Sequence, residues 1–135
     1  MIWRLGVVGS PVAHSLSPRL HEAALAALGL EGSSEAIEID EARRERLRTA
    51  LATHQGLSVT MPLKAAAMGY CDELDETAAR VGAVNSLLVR AGRVHGRSTD
   101  GRGFLDALAS LGVAELGGCR VLVRGAGGAA RALVD

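Results

Sequence analysis

The sequence predicts an α/β protein: a layered, mostly parallel sheet with flanking helices. Three observations carry that prediction. Short apolar runs (Leu5 to Val8, Leu57 to Val59, Val121 to Val123) alternate with longer stretches of helical periodicity. The runs lead into turn chemistry, at Gly9-Ser10-Pro11, at Thr60-Met61-Pro62 and at Gly125-Ala126-Gly127-Gly128. A chain of 135 residues with 48% hydrophobic content is also long enough to bury a core. Trp3, Tyr70 and Phe104 are its only aromatic residues, so that core is built from Ala, Val and Leu.

Taken in order, Leu5 to Val8 is a strand. Ser17-Pro18 opens a helix, with the Ser17 hydroxyl as its cap and Pro18 at the first helical position. Leu20, Ala23, Ala24, Ala27 and Leu28 form its apolar stripe, and Gly29 stops it. Glu35 to Ile39 alternates and reads as a strand. Asp40 caps the next helix, whose apolar positions include Leu47, Ala50 and Leu51. After the strand at Leu57, Thr60-Met61-Pro62 begins a short helix ending near Gly69, with Lys64 in its first turn. Another helix spans about Glu73 to Val81. Ala83 to Val89 and Val94 to Arg97 form a hairpin around Ala91-Gly92. A helix covers about Gly101 to Leu111, and Arg120 to Arg124 is a strand running into a glycine turn and a final helix.

Charge and cysteine usage narrow the function classes. Fifteen basic and fifteen acidic residues cancel, which is unlike the basic footprint of a nucleic-acid binder. The mixed run Glu41 to Arg48 reads as a solvated helix face. Cys71 and Cys119 stand far apart, and no Cys/His cluster has metal-ligand spacing, so no metal site is expected. The start, Met1 to Val8, carries Arg4 and is too short for a signal peptide or a spanning helix. Two isolated thiols fit a reducing compartment, and a cytoplasmic location is the expectation.

Four segments hold residues with chemical potential. The glycine turn fits G-x-G-x-x-A between strand and helix: Gly125 for the tight turn, Gly127 for close approach of a pyrophosphate, Ala130 for helix packing. A tight connection in an Ala-rich protein reads equally well. Lys64 sits where a helix start disfavours a cation; that can mark a functional placement, but on charge alone a lysine turned to water is the better reading. Asp100 follows a strand at a helix start, where a plain cap accounts for it. Asn85 enters an apolar strand and needs hydrogen-bond partners, from backbone or from a ligand. Ser15 lies beside the Ser17 cap with no capping task of its own. His14, His21, His54 and His95 are scattered and receive no role.

Together these segments resemble the shikimate dehydrogenase family across nearly the whole chain. Gly9 to Pro18 is similar to its opening substrate motif, Ser58-Val59-Thr60-Met61-Pro62-Leu63-Lys64 to its catalytic-lysine motif, and Gly82-Ala83-Val84-Asn85-Ser86 and Ser98-Thr99-Asp100-Gly101 to the next two. Gly125 to Ala132 is similar to its cofactor loop. The resemblance implies that Lys64 and Asp100 are the catalytic pair. It implies that Ser15, Ser17, Thr60, Asn85 and Asp100, with Lys64, bind the hydroxyls and carboxylate of shikimate. Gly125, Ala126, Gly127, Gly128 and Ala129 would hold the cofactor, and Glu76 would stand near its nicotinamide side. Ser58 and Ser98 stand where the family usually has Asn, which bears on substrate preference.

The activity implied by the resemblance is that of an NADP-dependent reductase of 3-dehydroshikimate, a small-molecule enzyme of aromatic amino-acid biosynthesis. A quinate/shikimate dehydrogenase using NAD is the near alternative, and a non-catalytic shikimate-binding module is the alternative of another class. Residues 1–104 would form the catalytic, shikimate-binding domain. Residues 105–135 would form a connecting helix and the first strand, turn and helix of a Rossmann-like dinucleotide domain. The cofactor half would be too incomplete for turnover by these residues alone. Its unpaired strand would leave Val121 to Val123 exposed, so that the chain forms a homodimer or otherwise self-associates, or leaves its last segment disordered. Neither a nucleic acid nor a membrane is an expected partner.

Overall fold

The computed structural model describes residues 2–113 and 115–135. Six strands form one sheet in the order β2-β1-β3-β5-β6-β4. They are β1 (Trp3–Gly9), β2 (Gly32–Glu38), β3 (Gly56–Val59), β4 (Glu73–Leu74), β5 (Ser86–Arg90) and β6 (Arg93–Arg97). The helices are α1 (Ser17–Ala27), α2 (Leu47–Thr53), α3 (Glu76–Val81), α4 (Asp100–Ser110) and α5 (Gly128–Leu133). The pairings β1 with β2, β1 with β3 and β4 with β6 are parallel. The hairpin β5–β6 joins β3 antiparallel, so the sheet is mixed. The hairpin turn has positive φ at both Ala91 and Gly92, the geometry that matches strand twist in a two-residue connection.

The main core lies on one face of the sheet. Val8, Leu57, Val59 and Leu87 from the strands meet Leu47 and Leu51 of α2, Leu63, and Ala78 of α3, all with little or no exposed surface. The opposite face is covered over β1 and β2 by α1. There the expected apolar stripe is wrong. Leu25 is the buried residue of α1, while Leu20 and Leu28 are 67% and 73% exposed. The helix turns His21 and Leu25, one turn apart, toward the sheet, and Leu20 faces outward.

Other local expectations also change. Ser17 is the first residue of α1, not its cap. Leu16 holds the cap position with no side-chain cap bond, and the Ser15 hydroxyl accepts the Ser17 amide at 3.2 Å just before the helix. Glu73 and Leu74 form a short strand, and α3 starts only after Asp75, which caps it by accepting from the Ala78 amide. Helical geometry after Pro62 is confined to a 3-10 segment, Ala66–Tyr70, so Lys64 precedes a helix and is not in one. Asp40 does cap its helical segment, accepting from the Arg43 amide. Residues Arg120 to Arg124 form no strand: a strand exists only by pairing, and this segment pairs with nothing among the described residues. No helix of the described residues is long and apolar enough to cross a membrane.

Candidate active site

Topology brings the candidate residues to one end of the sheet. Parallel strands β1 and β3 both end there, at Gly9 and Val59. The antiparallel β5 begins there, directly after Asn85, and β6 ends there, just before Asp100. Thr60 extends β3 by donating its amide to the Val8 carbonyl at 2.9 Å. The two chain segments are tight: a Cβ on Gly9 would fall 2.3 Å from Thr60 Cγ2 and 2.7 Å from the Met61 carbonyl. Only glycine fits at that crossing.

A cavity of about 250 Å³ opens at this end, lined by Val7, Ser15, Ser17, Ser58, Val59, Thr60, Lys64, Asn85 and Asp100. All six residues expected to bind substrate are among these nine. Lys64 Nζ donates to Asp100 Oδ2 at 2.5 Å, with the two side chains 17% and 27% exposed. Asn85 Nδ2 donates to Asp100 Oδ1 at 2.7 Å, so both carboxylate oxygens are engaged. The Asn85 Oδ1 accepts from the Thr99 amide at 3.0 Å. Its backbone donates to the Arg97 carbonyl and accepts from the Val59 amide, which ties β3 to β6. The Lys64 carbonyl accepts from the Val84 amide. Lys64 and Asp100 are thus held from both backbone and side chain. Asp100 is not the helix cap that spacing suggested; it is the first residue of α4 and turns its carboxylate to the lysine and the amide.

Ser15 and Ser17 meet across 3.1 Å at the start of α1, on the cavity's other side. Their loop is anchored by Glu38, which sequence reasoning missed. Glu38 Oε1 accepts from Ser10 Oγ at 2.5 Å and Oε2 accepts from the Val12 amide at 3.0 Å. The Ser10 hydroxyl, then the Val12 amide, hold the Glu38 carboxyl below its ordinary pKa. Its partners lie 28 and 26 residues away, so no local pattern marks it. His21 was also missed. It contacts Ser58 and Ser34, and its spacing of four from Leu25 was the available signal. Of the two serine departures, Ser58 lines the cavity, whereas Ser98 is buried and does not.

The remaining expected residues lie apart from the cavity lining. Glu76 is exposed at the first position of α3. The glycine turn leads into α5, and Gly125 has φ of +121°. A Cβ on Gly125 or Gly127 would meet nothing within 4 Å, so open space surrounds this part of the turn. Gly128 instead packs close to Lys64 and Ala83. Among the described residues no group of three or more His, Cys, Asp or Glu side chains could hold a metal ion.

Fold and site define an α/β domain with a cavity set between paired serines and a lysine–carboxylate couple. The model of the shikimate dehydrogenase substrate binding domain matches residues 7–87, and the chain belongs to that family. A curated relative, the NADP(+) shikimate dehydrogenase of Thermus thermophilus, is 47% identical over 131 residues, covering 96% of this chain and 49% of the relative. The crystal structure of shikimate 5-dehydrogenase from Thermus thermophilus in complex with NADP(H) and shikimate superposes with a TM-score of 0.81 at 42% identity, over 96% of this chain and 49% of that one. The shikimate dehydrogenase of Aquifex aeolicus superposes with a TM-score of 0.90 at 36% identity, over 98% and 52%. The chain thus spans about half the length of the relatives it matches.

Proposed function

We propose that this chain supplies the substrate-binding and proton-transferring half of an NADP-dependent shikimate dehydrogenase. The observation that carries the reading is the convergence of Ser15, Ser17, Thr60, Lys64, Asn85 and Asp100 on one cavity of about 250 Å³. The hydroxyls and the amide pair with the hydroxyls and carboxylate of shikimate, which disfavours analogues lacking one of those groups. Lys64 sits beside the reacting oxygen. An ammonium carries three donors, and among the described residues only Asp100 takes one. When 3-dehydroshikimate is reduced, negative charge grows on the carbonyl oxygen; Lys64 stabilises it and delivers a proton. In the reverse direction Lys64 accepts the proton of the substrate hydroxyl. Asp100 orients Lys64, and Asn85 orients Asp100.

Bound NADPH would supply the hydride for the reduction, and NADP+ would accept it in the reverse direction. Gly125 and Gly127, with open space around them, would hold the pyrophosphate of the cofactor, with Ala126, Gly128 and Ala129 completing the turn, and Glu76 would serve its nicotinamide side. NAD is the alternative cofactor. Residues 1–104 make the catalytic domain and 105–135 the connection into the dinucleotide domain. The free thiols Cys71 and Cys119 suit a cytoplasmic setting. The direct test is a fusion of this chain to the carboxy-terminal half of the Thermus thermophilus relative, assayed at the nicotinamide absorbance band. Shikimate-dependent NADP reduction that Lys64→Ala abolishes supports the reading; a folded fusion that binds shikimate without turnover favours a non-catalytic binding module.

A further inference from the structure

We propose, resting on the shikimate reading of the cavity, that His21 is a positioning residue that sets substrate affinity by orienting the Ser58 hydroxyl. His21 Nε2 lies 2.9 Å from Ser58 Oγ and His21 Nδ1 lies 2.8 Å from Ser34 Oγ. The imidazole therefore spans from α1 to two strands, with Ser34 on β2 and Ser58 on β3. Ser58 stands on a dividing wall. It lines the substrate cavity, where His21 does not reach, and it also lines a second cavity of about 260 Å³ that His21 does share. One hydroxyl thus has the ligand on one side and the imidazole on the other.

A serine hydroxyl has one proton and two lone pairs, and alone it rotates freely. Bonded to Nε2, it presents only its remaining hydrogen-bonding capacity to the ligand, in a fixed direction. Ser34 does for His21 what His21 does for Ser58: with Nδ1 held, the ring cannot turn. Burial lowers the His21 pKa, so the ring is neutral at neutral pH, with one nitrogen donating and the other accepting. Each serine then receives a defined role from the same ring.

The competing account is that His21 merely docks α1, which also carries Ser17. Isosteric substitutions separate the two. The amide of His21→Asn reaches about as far as Nδ1 and keeps Ser34; that of His21→Gln reaches as far as Nε2 and keeps Ser58. The experiment measures shikimate affinity by calorimetry for the 135-residue chain, for both variants, and for the cycle of His21→Ala, Ser58→Ala and their double mutant, with thermal melts alongside. We expect His21→Asn to melt like the parent yet bind roughly three- to tenfold more weakly, the value of one oriented hydrogen bond. We expect His21→Gln to bind like the parent, and His21→Ala to add no loss on top of Ser58→Ala. Additive losses in the cycle, or His21→Asn binding like the parent, would overturn the proposal while leaving the cavity reading intact. If the unsubstituted chain failed to bind shikimate, both would fall.

Discussion

Lys64 and Asp100 stand 36 residues apart, yet Lys64 Nζ donates to Asp100 Oδ2 at 2.5 Å inside a cavity lined with hydroxyls. Neither is engaged by chance: Asn85 takes the second carboxylate oxygen, and the Lys64 carbonyl is bonded to Val84. In an active fusion carrying a complete dinucleotide domain, Lys64→Ala should lower kcat by roughly a hundredfold or more with a far smaller change in KM. Asp100→Asn should also lose activity, and the double mutant should lose less than the product of the two. Near-parent kcat in the lysine variant would remove it from the chemistry.

The serine pair gives a stability prediction that reverses the one from spacing. Ser15 Oγ accepts the Ser17 amide at the helix start, so Ser15→Ala should cost about 1 kcal/mol, as loss of one such hydrogen bond does. Ser17→Ala removes no cap and should stay within about 0.5 kcal/mol of the parent. Both should weaken shikimate binding. Chemical denaturation of the two variants decides which serine holds the helix start.

Stability should fall in two steps on acidification. His21 has its pKa lowered from 6.5 by burial, so below that value the unfolded chain takes up the proton first. Its contribution is complete above about pH 6.5 and is lost as the pH falls from there through the folded-state value. Glu38, held below 4.5 by Ser10 and Val12, behaves likewise in a lower window. Denaturation from about pH 8 to about pH 3 should show the first step vanish in His21→Gln and the second shrink in Glu38→Gln, the remainder coming from Asp40 and Asp135, which Arg43 and Arg80 also hold below their ordinary values. A step left undiminished by its own substitution belongs to another group.

Much of this was legible because it was local. The Ala91-Gly92 hairpin, the Asp40 cap and the ends of β1 and β3 follow from turn chemistry and alternation within a few residues. The face of α1 was not. Composition supplies Leu20 and Leu28 as apolar candidates, but the sheet takes Leu25 and His21, because Ser34 and Ser58 offer the imidazole partners that no leucine could satisfy. The helix expected at Lys64 failed for a similar reason: the Lys64 carbonyl is taken by Val84 from another segment. The candidate site residues come from motif resemblance, and their mutual geometry comes only from the mixed sheet, which sets the start of β5 beside the ends of β3 and β6.

The segment before the glycine turn carries its own expectation. Val121 and Leu122 are 66% and 94% exposed and pair with no strand among the described residues. The purified 135-residue chain should self-associate in sedimentation, and Leu122→Lys should weaken that association. The same chain should show no NADP-dependent turnover, because a dinucleotide site needs two mononucleotide-binding halves. A parent chain that stays monomeric at high concentration would count against the first statement.

The most direct test of the substrate reading is an NMR titration of the 135-residue chain with shikimate. Saturable binding with shifts concentrated at Ser15, Ser17, Thr60, Lys64, Asn85 and Asp100, and weakened by Asn85→Ala, is the expected result. Absence of saturation, or shifts confined to residues outside the cavity, would contradict it.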